Sequence, residues 1–234
     1  DAASGKEAWR FRAMDYPNDG PHGPAIDETT LYAPGDDNVM LAGDLRTELL
    51  RWRGGGHHSR ACVALDGDTV YYMAQATLRA LNKATGVSKW QFSGTITGDQ
   101  YPRSAPAVSS GIVCVGHQDS WVYAVNAANG SLKWKYKTGS EVWSSPTIAE
   151  SAVFIGSNDG WLYAFNINSS GTNDALLWRH QIGAPVRSTP WVENGVVFVG
   201  SDDGSVYAVC SPVPESAALP LSTALAACVR RLLH

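Results

Sequence analysis

The chain has 234 residues, a formal net charge of −4 and only 17% charged residues. That balance leaves no basic footprint for nucleic acid and no cationic face for a membrane surface. No apolar run approaches the roughly 20 residues that a membrane-spanning helix needs; the longest candidate, 217–233, is cut by Pro220 and carries Arg230 and Arg231.

Twenty-three glycines and 12 prolines suit many short strands joined by tight turns, in a chain long enough to bury a sizeable core. The first nine residues, DAASGKEAW, open in the middle of a phrase that recurs: Ala-x-Asn/Asp, a short turn, then Trp. It returns as AGDLRTELLRW (42–52), ALNKATGVSKW (80–90), AVNAANGSLKW (124–134) and, with an insertion, AFNINSSGTNDALLW (164–178). The steps from Trp9 to Trp52, Trp90, Trp134 and Trp178 are 43, 38, 44 and 44 residues, the period of a repeat architecture. Asp1 falls inside a unit, so the chain is expected to be a fragment or processed piece whose targeting information lies elsewhere.

The first complete unit spans about 22–53, with the hairpin turn PGDDN at 34–38. The second, about 60–92, follows the loop GGGHHS. The third, about 104–136, turns at GHQDS (116–120), and the fourth, about 144–180, at GSNDG (156–160). The fifth, 187–210, runs through VVFVG, GSDDG and SVYAV, and then stops before any docking Trp. Short apolar or alternating runs separated by Asp/Asn/Gly turns are strand and hairpin signals. Pro24, Pro106, Pro146 and Pro190, with Cys62 in the second unit, mark the start of each innermost strand, where a missing N–H is tolerated.

Four short strands per unit of about 40–45 residues predict an all-β fold, a β-propeller of four-stranded antiparallel blades. Four blades are complete and one is split, with 1–11 supplying the strand that 187–210 lacks. The expected form is an open arc cut from a larger propeller; the alternative is a closed five-bladed ring. Residues 211–234 form an Ala/Leu-rich tail, expected to carry a short helix after Pro220 and foreign to the repeat.

Four cysteines, Cys62, Cys114, Cys210 and Cys228, contain no CxxC pair and are expected to be buried small hydrophobes; the other option is a Cys210–Cys228 disulfide holding the tail. The acidic turns at Asp36-Asp37, Asp119, Asp159 and Asp202-Asp203 read as turns rather than calcium sites, because calcium needs about six to eight oxygens converging on one point. His57-His58 reads as part of a solvated loop, so no metal is expected. There is no nucleophile elbow, HExxH, phosphate loop, CxxCH or adjacent Cys-Cys pair.

The phrase Ala-x-Asp/Asn-x-x-x-Gly-x-x-x-Trp resembles the tryptophan-docking motif of the PQQ-like propellers, the quinoprotein alcohol dehydrogenase-like superfamily. The resemblance covers residues 1–210. Lys follows the Gly only at Gly5-Lys6, and Glu48 replaces the Gly in the first complete unit, so a different turn is expected there. The resemblance implies that Trp9, Trp52, Trp90, Trp134 and Trp178 are structural, each docking against a neighbouring blade. It also implies seven or eight blades in a full-length relative and an extracytoplasmic or periplasmic location.

Propellers of this kind bind ligands over the axis. The residues three before each inner-strand marker, Pro21, Ser59, Arg103, Trp143 and Arg187, would ring that mouth. Arg103, Trp143 and Arg187 are therefore the candidate cofactor contacts, since two guanidinium groups and an indole suit a planar anion such as a quinone tricarboxylate. Ordinary rim residues are the competing explanation. No catalytic residue is assigned. The function expected is a non-catalytic propeller that binds protein partners through face loops or an open edge strand. The resemblance implies as analogues the PQQ-repeat lipoprotein of the outer-membrane β-barrel assembly machinery and the many uncharacterised proteins with the same repeat. The alternative is a fragment of a dehydrogenase using PQQ with calcium, and a third option is a propeller appended to a larger enzyme.

Overall fold

A computed structural model describes residues 23–35, 39–55, 63–94, 103–171 and 174–210. Among them there are 19 strands in five antiparallel sheets and no helix. The first sheet runs in chain order through β1 (Ala25–Ile26), β2 (Thr30–Pro34), β3 (Met40–Asp44) and β4 (Leu50–Gly54). The second is β5 (Ala64–Asp66), β6 (Thr69–Ala74), β7 (Thr77–Asn82) and β8 (Ser88–Ser93). The third is β9 (Ala107–Ser109), β10 (Ile112–Gly116), β11 (Trp121–Asn126) and β12 (Leu132–Lys137). The fourth is β13 (Thr147–Ala149), β14 (Ala152–Gly156), β15 (Trp161–Asn166) and β16 (Leu176–Gln181). The fifth has three described strands, β17 (Trp191–Glu193), β18 (Val196–Gly200) and β19 (Val206–Cys210). These are propeller blades, each joined by hairpins as the repeat predicts.

Burial follows the position of a strand in its sheet. The second strands β6, β10 and β14 are buried along their whole length, so they read as continuous apolar runs. The outermost strand β8 buries Trp90 and turns most of its other residues to solvent. That Trp faces an alanine: Trp52 pairs with Ala42, Trp90 with Ala80 and Trp178 with Ala164. In all three sheets the register shifts by one residue directly after that alanine, a bulge built into the repeat. Ala42, Ala80 and Ala164 are fully buried, which leaves space only for a methyl group opposite the indole.

Two compact units divide the chain, Asp1–Val113 with Val125–Ser131 and Cys114–Ala124 with Leu132–His234. In the first, Tyr32, Met40, Ala42, Trp52, Val70 and Tyr72 are central to one apolar cluster. In the second, Phe154, Leu162, Ala164, Val186, Val197 and Val199 form another, with Trp178 packed against it.

The structure corrects three expectations. Ala25 pairs with Tyr32, Ala64 with Tyr71, Thr147 with Phe154 and Trp191 with Phe198, so the second unit's inner-strand marker is Val63, not Cys62. Met73 and its partner Leu78 enclose four residues where the equivalent Gly156 and Leu162 enclose five, and counting back from the Trp phrase overshoots by that residue. The residue three before the marker is then Arg60 instead of Ser59. Glu48 does not change the backbone of its turn. It adopts φ +61°, next to +71° at Gly86 and +72° at Gly130, and its amide donates to Asp44 as theirs do to Asn82 and Asn126. What changes is that a side chain now stands where the others leave a flat peptide. Cys114 is buried and free, but Cys210 is disulfide-bonded. Cys210 occupies the repeat position of Asn82, Asn126 and Asn166, at the end of a strand, and is no core residue.

Trp9, residues 1–11, Pro21, Asp36-Asp37, His57-His58, Ser59, Cys62, Cys228 and the expected tail helix lie outside the described residues.

Candidate functional site

The conspicuous residues of the repeat are held in internal bonds. The Asn or Asp that opens each turn accepts backbone N–H bonds two or three residues on. Asp44 Oδ1 receives Arg46 and Thr47, Asn82 Oδ1 receives Ala84 and Thr85, and Asn126 Oδ1 receives Ala128. The glycine that closes the turn sits in the left-handed region, where only glycine avoids a steric penalty. A Cβ on Gly86 would lie 2.5 Å from Cε3 of Trp52, and one on Gly130 would lie 2.6 Å from Cε3 of Trp90. The indole lies directly on the turn, and its N–H completes the dock. Trp52 Nε1 donates to the Lys83 carbonyl (3.0 Å), Trp90 Nε1 to Ala127 (2.9 Å) and Trp134 Nε1 to Ile167 (3.2 Å). Trp178 Nε1 is buried with no partner among the described residues.

The acidic turns are equally committed. Asp119, Asp159 and Asp203 each accept the backbone N–H two residues on and the hydroxyl of a tyrosine four residues on, Tyr123, Tyr163 and Tyr207. The Tyr207 hydroxyl, with the Ser205 amide, lowers the Asp203 pKa from its ordinary value. Among the described residues no three His, Cys, Asp or Glu side chains converge as a metal site.

Of the three candidate contacts, the structure brings two together. The Arg187 guanidinium lies 4.3 Å above the Trp143 ring. Its Nη1 pairs with Asp202 at 2.8 Å and its Nε donates to Asn158 Oδ1 at 3.1 Å. Asn158 and Asp202 hold the same place in successive turns, and their amides donate to the equivalent carbonyls of Glu141 and Pro185. Arg103 is exposed just before β9, in the first unit. Arg187 as placed does not fit an anionic quinone: one face of its guanidinium is covered by Trp143, and Asp202 already supplies the carboxylate that the cofactor would have to replace.

Sequence reasoning missed the clamp on Arg187, although Asn158 and Asp202 stand at matching turn positions. It also missed a Ser-x-Pro phrase, Ser104-Ala-Pro106, Ser144-Ser-Pro146 and Ser188-Thr-Pro190. Ser144 Oγ, fully buried, donates to the Ser188 carbonyl at 2.7 Å, one repeat further on. A third omission is His117, where the other turns have Ser157 and Ser201. It is buried, its ring 3.0 Å from Asp119 and edge-on to Tyr123.

Comparison with known proteins places these features in a family. A model described as "Outer membrane protein assembly factor BamB" matches residues 1–211. The serine/threonine-protein kinase AfsK of Streptomyces griseus is 30% identical over 149 residues, which cover 59% of this chain and 18% of the kinase. BamB from Moraxella catarrhalis superposes with a TM-score of 0.68 at 19% identity, over 80% of this chain and 60% of that one. A quinohemoprotein alcohol dehydrogenase from Comamonas testosteroni gives 0.66 at 17% identity, over 82% of this chain and 41% of that one. At these identities the structural likenesses show the fold alone. The chain spans less than two thirds of each of these relatives. With the docking turns, the blades and the family match over residues 1–211 in agreement, the chain belongs to the PQQ-repeat propellers described as outer membrane protein assembly factor BamB.

Proposed function

We propose that the chain is a non-catalytic PQQ-repeat propeller that serves as a protein-binding scaffold, working outside the cytoplasm. The observation that carries this reading is the commitment of its polar repeat groups. The turn carboxylates and Arg187 are bonded to the protein itself, so chemistry at these positions would cost existing contacts. The loops are left for recognition. The family match supports the same reading, because the matched description is that of an assembly factor.

A second reading draws on the kinase match. The stretch that matches covers 18% of the kinase, the share a module of a larger protein would have. On this reading the chain is the recognition part of a longer protein, and the scaffold role holds within it.

The enzyme alternative is tested by turnover. The purified chain, given PQQ and calcium, is assayed for dye-linked oxidation across a panel of alcohols and sugars. The scaffold reading expects no oxidation above the protein-free control. Saturable oxidation that disappears in Arg187→Ala would overturn it.

A further inference from the structure

The latch between a turn acid and a tyrosine, present in the third, fourth and fifth sheets, has lost its anion in the second. Tyr123, Tyr163 and Tyr207 each stand directly before the repeat alanine, and each donates its hydroxyl to the Asp four residues earlier. In the second sheet the residue before Ala80 is Arg79, and four residues before it stands Gln75. An acid with a neutral donor has become a carboxamide with a cation.

Nothing around Arg79 replaces the missing charge. Arg79 is partly buried on β7, and its Nε is buried with no hydrogen-bond partner among the described residues. The other two cations of this sheet are paired, Lys83 with Asp27 and Lys89 with Asp68. Its acids, Asp66 and Asp68, stand at the end of the sheet where Asp66 pairs with Thr69, opposite the end where Ala74 pairs with Thr77. Arg79 itself pairs with Tyr72, whose hydroxyl donates to the Gly55 carbonyl at 3.1 Å. Burial pushes the Tyr72 pKa up to about 12, so that phenol supplies no anion. On its other side Arg79 pairs with Gln91, and the next pair on that face is Thr77 with Ser93, whose hydroxyls lie 3.2 Å apart. The surroundings of the guanidinium are therefore neutral and supply further donors. A guanidinium is a planar fork of donors shaped for a carboxylate, and a buried N–H without an acceptor carries a free-energy cost that such a ligand removes.

We infer that Arg79 anchors a carboxylate-binding site on the second sheet, with Gln91, Thr77 and Ser93 as the neutral donors beside it. Resting on the scaffold reading, the carboxylate is that of an acidic side chain on a partner protein. It takes the role that Asp119, Asp159 and Asp203 fill from within the chain in the later sheets. A carboxylate matches the site's single uncompensated positive charge, where a phosphate dianion would bring a charge in excess.

The test follows the Arg79 Nε–H resonance of the whole chain by NMR, assigned with Arg79→Gln, during titration with a short end-capped polyglutamate peptide at fixed ionic strength. A saturable shift is expected, with an affinity at least about tenfold above that of the polyglutamine counterpart, the scale of one charge-assisted hydrogen bond. Thr77→Glu sets a carboxylate on the same face and should weaken the peptide by about tenfold while Arg79 is still present. No saturable shift, or equal shifts with polyglutamine, would overturn the site. Peptide affinity unchanged in Thr77→Glu would put the binding elsewhere and overturn it too. Sodium acetate titrated in parallel separates the sources: acetate binding as tight as the peptide's would overturn the partner protein as the source, in favour of a small free carboxylate. The turnover assay reads the scaffold role separately, so a failure of this site and a failure of that role are distinguishable.

Discussion

Gly130 shows how little freedom a docking turn has. Its φ of +72° is open to glycine, and the Trp90 ring fills the space where a side chain would begin. Gly130→Ala adds a left-handed penalty and a steric overlap, and should destabilise the fold by about 2–4 kcal/mol in urea unfolding. Glu48→Gly tests the converse. Glu48 already has the left-handed backbone and is exposed, so the change should be neutral or stabilising by about 0.5 kcal/mol. If both variants behaved alike, the turn glycine would have no special role. The tryptophans were legible from sequence because their spacing repeats. The clamp of Asn158 and Asp202 on Arg187 was not, because it depends on which loops meet in space.

The turn that opens with Asp44 ties three parts of one sheet together. Its carboxylate is held well below the ordinary 3.8 by the Thr47 amide, the Arg51 guanidinium and the Arg46 amide. A carboxylate with a depressed folded pKa contributes stability that is present above its unfolded value and is lost as pH falls through the folded one. The unfolding midpoint should therefore drop once the pH passes below 3.8. Asp44→Asn should flatten part of that slope, and an unchanged acid profile would remove the turn from the account. Between sheets the Ser-x-Pro phrase acts similarly. Ser144→Ala leaves the Ser188 carbonyl without its buried donor and should cost about 1–3 kcal/mol in thermal or urea melts. A change within error would make that bond incidental. Elements of this kind were partly legible: the hairpins followed from Asp-Gly turns. The one-residue shift at Val63 did not, because a shortened β6–β7 connection leaves no mark in a phrase counted from the Trp.

For the whole molecule, the repeat accounts for the sheets and their order, and it accounts for why the most conspicuous side chains point inward to a neighbour. Function is less legible for the same reason. The sequence advertises Arg103, Trp143 and Arg187 as a set, but stacking and an acidic neighbour turn Arg187 toward its own protein. The central claim is that these positions hold the propeller together or line its loops and take up no quinone. Titration of PQQ in the presence of calcium, followed by absorbance and tryptophan fluorescence, tests this most directly. No saturable change is predicted at micromolar cofactor. Saturable binding that is abolished in Arg103→Ala with Arg187→Ala would contradict the scaffold and favour a dehydrogenase fragment.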